Sequence, residues 1–84
     1  MVVFQGNGFG VQIPGRAGLL YTEGSRTMRV SGEMLMGAVD FVIYRSSLGK
    51  WDDSNETANE VERARILGNI VDLLRRNGLV VEVQ

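Results

Sequence analysis

The densest run of reactive groups in the chain is acidic: Asp52, Asp53, Glu56 and Glu60, directly after Trp51. Carboxylates at this spacing can cap a helix and complement the positive end of its dipole. They can hold a hard cation through oxygen ligands. They can also present a negative surface to a basic partner, steering its approach and fixing its register. The ligand spacing and turn glycine of a calcium loop are absent, so no metal site is expected. Capping is the plain reading and partner contact the functional one. Trp51 divides in the same way, between cover for the core and an interface anchor, since Trp and Tyr are enriched at binding hot spots. The candidate partner-binding residues are therefore Trp51, Asp52, Asp53, Glu56 and Glu60.

Other chemistry is sparse. The 84 residues include no His and no Cys. His is the side chain that ordinarily titrates near neutrality, and Cys is the readiest nucleophile and soft-metal ligand. Triads built on His, Cys–His dyads and the usual zinc sites are thereby excluded. Glu23, Glu33 and Asp40 are isolated acids that no spacing forces into an acid/base pair. Gly6-Asn-Gly-Phe-Gly10 has the glycines of a phosphate loop. A β-type run follows it where a dinucleotide fingerprint needs a helix, so it reads as a turn. No catalytic residue and no cofactor are expected, and the chain reads as a binder rather than an enzyme.

Nine basic and ten acidic residues give a formal charge of −1. That balance offers no basic surface for direct nucleic-acid contact and none for an anionic membrane. The N-terminus has no signal-peptide pattern, and no run approaches the ~20 apolar residues of a membrane span. A cytoplasmic protein is expected. The length suits a single domain, residues 1–84. A domain this small buries only roughly 60–65% of its unfolded surface, so packing must supply nearly all its stability.

The elements that must position these groups fall into a glycine-punctuated β half and a helical tail. Val2–Gln5 and Phe9–Ile13 read as the first strands, with Pro14-Gly15 as a turn. Leu19–Thr22 and Thr27–Ser31 read as a hairpin around Glu23-Gly24-Ser25-Arg26. Glu33–Met36 reads as a short strand or a single turn. With Met28, it places three methionines near Leu35, where core filling is the plain reading and an edge for chain pairing the functional one. Phe41–Arg45 is β-branched or aromatic over Phe-Val-Ile-Tyr, as a strand buried on both faces would be. Tyr44 is expected to close the same end of the sheet as Trp51. After the polar connection Ser46–Asn55, a capping box at Thr57 and Glu60 opens a helix, with Asp53 and Glu56 as an earlier start. Apolar residues at 61, 64, 66, 67, 70, 71, 73 and 74 cover about half its circumference, as in a helix laid flat on a sheet. Asn77-Gly78 caps its end. Leu79–Val83 is a final strand, expected to run parallel to Phe41–Arg45. The expected class is α+β: a mostly antiparallel sheet of about five or six short strands, one long C-terminal helix packed on it, then a last strand.

An ordered series of short segments carries a family resemblance. It comprises Tyr21-Thr-Glu, Met28-Arg-Val, Gly32-Glu-Met-Leu35, Phe41-Val-Ile-Tyr44, Lys50-Trp51, Glu62-Arg63, Ile66-Leu67 and Gly78-Leu-Val-Val-Glu82. Over roughly residues 18 to 83 the chain resembles small bacterial immunity proteins of polymorphic or contact-dependent toxin systems. The resemblance implies a cytoplasmic antitoxin that binds a cognate toxin domain and neutralises it by occlusion. Nucleases are among the toxins it implies, although the near-neutral charge departs from strongly acidic nuclease inhibitors. Such families diversify at the toxin-binding surface, so no fixed binding residues carry over. The alternative is a small self-associating structural or regulatory module, a homodimer for example, without catalytic activity.

Overall fold

Alternating apolar side chains fold the first half of the chain into successive strands. Val2–Gln5 (β1), Phe9–Ile13 (β2), Ala17–Glu23 (β3), Arg26–Met34 (β4) and Phe41–Ile43 (β5) pair antiparallel, each with the next. A 3-10 turn follows at Arg45–Ser47, then the helix Glu60–Arg76 (α1), then Val81–Val83 (β6). β6 pairs parallel to β5, completing one sheet in the order β1-β2-β3-β4-β5-β6. The computed structural model describes residues 1–52, 54 and 56–84. Asp53, a candidate contact residue, and Asn55 lie outside the described residues.

The β3–β4 turn needs Gly24, which has φ +61°. A glycine with positive φ at the first central position suits the II′ turns that match strand twist. From that hairpin the pleat sorts side chains. Val11, Tyr21 and Met28 lie side by side across three strands and are fully buried. Met28, Val30 and Gly32 alternate along β4 with exposed Arg29, Ser31 and Glu33. Ile66, Ile70, Leu73 and Leu74 of α1 close over this face, together with Leu48, Trp51 and Ala58 of the connection. Phe41, Val42 and Ile43 are all buried, as the β-branched run requires. Gly32 gives way to this packing: a Cβ there would meet the Phe41 ring and the Val42 carbonyl oxygen at 2.5 Å.

Several boundaries differ from the sequence expectation, each for a local reason. The helix opens at Asn59 rather than Thr57. The Asn59 side chain accepts from the Glu62 amide at 2.8 Å, and the Asn59 amide donates to Glu62 Oε1 at 3.3 Å. Thr57 instead bridges to Lys50, and the Ala58 amide donates to the Gly49 carbonyl at 2.6 Å. Burying Ala58 holds this stretch extended, which pushes the capping box two residues on. Glu33 and Met34 continue β4, an interior strand, so the expected separate strand or edge at Glu33–Met36 does not form. Only Met28 of the three methionines is core; Met36 is 93% exposed. β5 stops at Ile43 because the Tyr44–Leu48 stretch turns, with the Ser47 amide donating to the Tyr44 carbonyl at 3.0 Å. The helix ends as expected. Gly78, with φ +88°, lets its amide reach the Arg75 carbonyl and the Leu79 amide reach Leu74, a Schellman closure.

Candidate functional site

The Trp51 cluster is built on the β3–β4 hairpin. Trp51 is 1% exposed, tilted against Tyr21 at a ring separation of 6.4 Å. The next amide, of Asp52, donates to the Thr27 carbonyl at 2.8 Å and pins the loop to β4. The Arg26 guanidinium lies 4.1 Å from the Trp51 ring centre and donates to Glu56 Oε2 at 3.0 Å. Arg29 stands 3.8 Å from Asp52 Oδ2. Trp51 therefore packs as core, while Asp52 and Glu56 meet arginines of the protein itself. Glu60 is not with them: it heads α1 and lines a groove on the far side of the helix. Tyr44 does not close this end of the sheet either. Its amide bonds to Ser31 and its hydroxyl donates to Glu33 at 3.2 Å, toward the opposite end of β4.

Tyr21 supplies the strongest electrostatic perturbation. Its hydroxyl donates to Glu23 Oε2 at 2.7 Å and accepts from Asn69 Nδ2 at 3.0 Å. Burial, reinforced by the neighbouring Glu23 carboxylate and eased by Asn69, pushes its pKa up to about 12. The network ties β3 to α1, with Arg65 Nη1 bonded to both Glu23 oxygens at 3.0 Å. Tyr44 is also raised, chiefly by its hydrogen bond to Glu33. Among the described residues no group of three or more Asp or Glu is placed to hold a metal ion. No described helix is long and apolar enough to cross a membrane.

A second feature was not anticipated from the sequence. A groove of about 670 Å³ runs between α1, β6 and the 3-10 turn. Its floor holds Ala64, Leu67, Gly68, Val71 and Val83, and Arg45, Arg63 and Arg75 stand along it. Local structure explains the assembly. Residues 60, 63, 64, 67, 68, 71 and 75 recur at three- and four-residue steps, so they share one side of α1. The parallel pairing of β5 with β6 brings the turn alongside, where the Arg45 amide donates to the Gln84 carbonyl at 2.7 Å. Ser47 Oγ accepts from the Ser31 amide at 2.8 Å and anchors the turn on β4. The signal that could have found the groove was the width of the apolar stripe. It exceeds what the sheet buries: Ile66, Ile70, Leu73 and Leu74 go under, Leu67 and Val71 are half-buried, and Ala64 stays exposed.

The family model Imm74, immunity protein 74, matches residues 11–84. The match begins at Val11, within β2, and takes in α1, the 3-10 turn and β6. No curated protein and no solved structure matches the chain. The chain belongs to the immunity protein 74 family.

Proposed function

We propose that this member of the immunity protein 74 family binds one cognate toxin domain and neutralises it by occlusion, without a catalytic group of its own. The observation that carries the reading is the family match across residues 11–84, which begins within β2 and takes in β3 to β6 and α1 whole. The physical character of the molecule supports it. An occluding inhibitor needs a firm scaffold and a complementary surface. The scaffold is a sheet backed by one helix, and no described charged side chain is buried in it. Charge is thus held at the surface, where a partner meets it. The cytoplasm, where such a toxin would act, is the compartment this reading assigns.

The acidic surface inferred from sequence is one candidate face for the toxin. Asp52 and Glu56 are drawn toward Arg29 and Arg26, which lowers the net field they present. A basic nuclease cleft is therefore no better supported as the target than another toxin class. Affinity capture from the native source, with this protein as bait, tests the function. The expected catch is the C-terminal domain of a much larger secreted protein. Expressing that domain should arrest growth, and co-expressing this protein should restore it. A catch without such a domain, or arrest that co-expression leaves unchanged, would overturn the reading.

Self-association is the second reading, favoured by the edge strand β1, which leaves Val2 and Val3 about half exposed. Sedimentation at micromolar concentration decides it: a sharp monomer removes it.

A further inference from the structure

We propose that the groove between α1 and β6 is the seat of an acidic, amphipathic segment of the partner protein. The segment's carboxylates meet Arg45, Arg63 and Arg75, and its apolar side chains lie on the floor between them. The identity of that partner as the toxin rests on the reading above; the chemistry of the groove does not.

Charge complementarity is the first support. The chain has nine basic residues. Arg26, Arg29, Arg65 and Arg76 pair with Glu56, Asp52, Glu23 and Asp72. The other five have no carboxylate within 4 Å among the described residues, and three of those five line this groove. Arg75 uses one donor on the Val81 carbonyl, at 3.2 Å, and its remaining side-chain donors have no partner among the described residues. Guanidinium groups engage carboxylates through paired, charge-assisted bonds, so a row of them selects an acidic ligand. Glu60, at the N-terminal end of α1, is the one carboxylate residue of the lining among the described residues.

The shape is the second support. Arg63 and Arg75 are twelve positions apart on one helix, about 18 Å along its axis, which suits a peptide segment better than a small anion. Between them lies Gly68. Glycine in a helix interior is unfavourable relative to alanine. Here no packing requires it, because a Cβ at Gly68 would meet nothing within 4 Å among the described residues. The residue thus keeps the groove floor open at its middle, where a ligand side chain can descend.

Two variants of the full chain separate binding from folding. Arg63→Glu with Arg75→Glu reverses the charge, and Gly68→Leu fills the floor with a residue that favours the helix. The probe is a synthetic amphipathic peptide with Leu and Phe on one face and Glu on the other; its control carries Lys for Glu. In two-dimensional amide NMR at low salt, the acidic peptide should move the resonances of Ala64, Leu67, Gly68 and Val71. Both variants should weaken binding by at least about tenfold while retaining the wild-type fold, and the Lys peptide should not bind. Shifts centred elsewhere, no binding, or variants that bind like wild type would overturn the proposal. The captured partner distinguishes the two readings. A toxin domain held equally by wild type and both groove variants, and lost on charge reversal at Asp52 and Glu56, removes the groove and keeps the immunity function. Peptide seating in the groove without any toxin in the capture keeps the groove and removes that function. Peptide-independent dimerisation through the groove, seen by sedimentation, would replace the proposed occupant with a second copy.

Discussion

The Arg26 guanidinium lies 4.1 Å from the centre of the Trp51 ring, between that ring and the Glu56 carboxylate at 3.0 Å. One side chain thus joins the β3–β4 turn to the long connection before α1. The indole contributes apolar area and a π face, and the arginine brings a charge that stays partly hydrated. Trp51→Ala should cost about 3–5 kcal/mol, as large aromatic truncations in cores do. A double-mutant cycle of Arg26→Ala with Trp51→Leu should show a coupling of roughly 0.5–1 kcal/mol by urea denaturation. Glu56→Gln should change stability by no more than about 1 kcal/mol, since that carboxylate is exposed. A Trp51→Ala variant as stable as wild type would show that the indole is not core.

Tyr21 makes stability sensitive to alkaline pH. Its folded pKa is raised from 10.0 to about 12. A raised acid binds its proton more tightly when folded, so its contribution is fully present below pH about 10 and is lost as pH rises through about 12. Tyr21→Phe removes two hydrogen bonds and should cost about 1 kcal/mol near neutrality. It should also flatten the alkaline limb of a urea-midpoint profile. An alkaline limb identical in wild type and Tyr21→Phe would contradict the assignment.

Two glycines should respond to alanine with opposite signs. At Gly32 the new Cβ would press on Phe41 and on the Val42 backbone at 2.5 Å, and overpacking of this kind typically costs about 1–3 kcal/mol. At Gly68 the Cβ enters open space, and the helix should gain up to about 1 kcal/mol. A gain of that size raises Tm by roughly 4–8 °C in a domain of this length. Calorimetry on the two variants checks both. A lower Tm for Gly68→Ala would mean that the floor is tighter than its geometry implies.

The helix start offers a contrast between neighbouring residues. Asn59→Ala removes the side-chain acceptor for the Glu62 amide and should cost about 1 kcal/mol. Thr57→Ala touches no helix amide and should cost less. If Thr57→Ala proved the costlier of the two, the helix would open where the sequence alone suggested.

That contrast marks how far local patterns reach. The sequence pointed to a Thr57–Glu60 box, and the structure forms the Asn59–Glu62 box two residues on. The choice between them falls to Ala58, which the core buries 2% exposed and the Gly49 carbonyl holds extended. Strand existence was legible throughout the β half, because alternation at Met28, Val30 and their neighbours reports a half-buried sheet. The extension of β4 through Met34 was not, because its pairing with β5 is settled seven residues further on.

The chemical repertoire, the α+β class, the hairpin around Glu23–Arg26, the helix C-cap and the family resemblance were all legible in the sequence. These depend on residue types and on interactions a few positions apart, which composition and periodicity report directly. Which charges meet depends on how distant segments pack. Arg26–Glu56, Arg29–Asp52 and Arg65–Glu23 span 30, 23 and 42 positions, and their pairing follows from sheet register and the seating of α1. The same register turned an acidic candidate surface toward its own arginines. It also placed Arg45 beside Arg63 and Arg75, through the parallel contact of β5 with β6. Helical periodicity gave an apolar stripe, but the width of the sheet beneath it fixed how much of that stripe was buried and how much was left open as a groove.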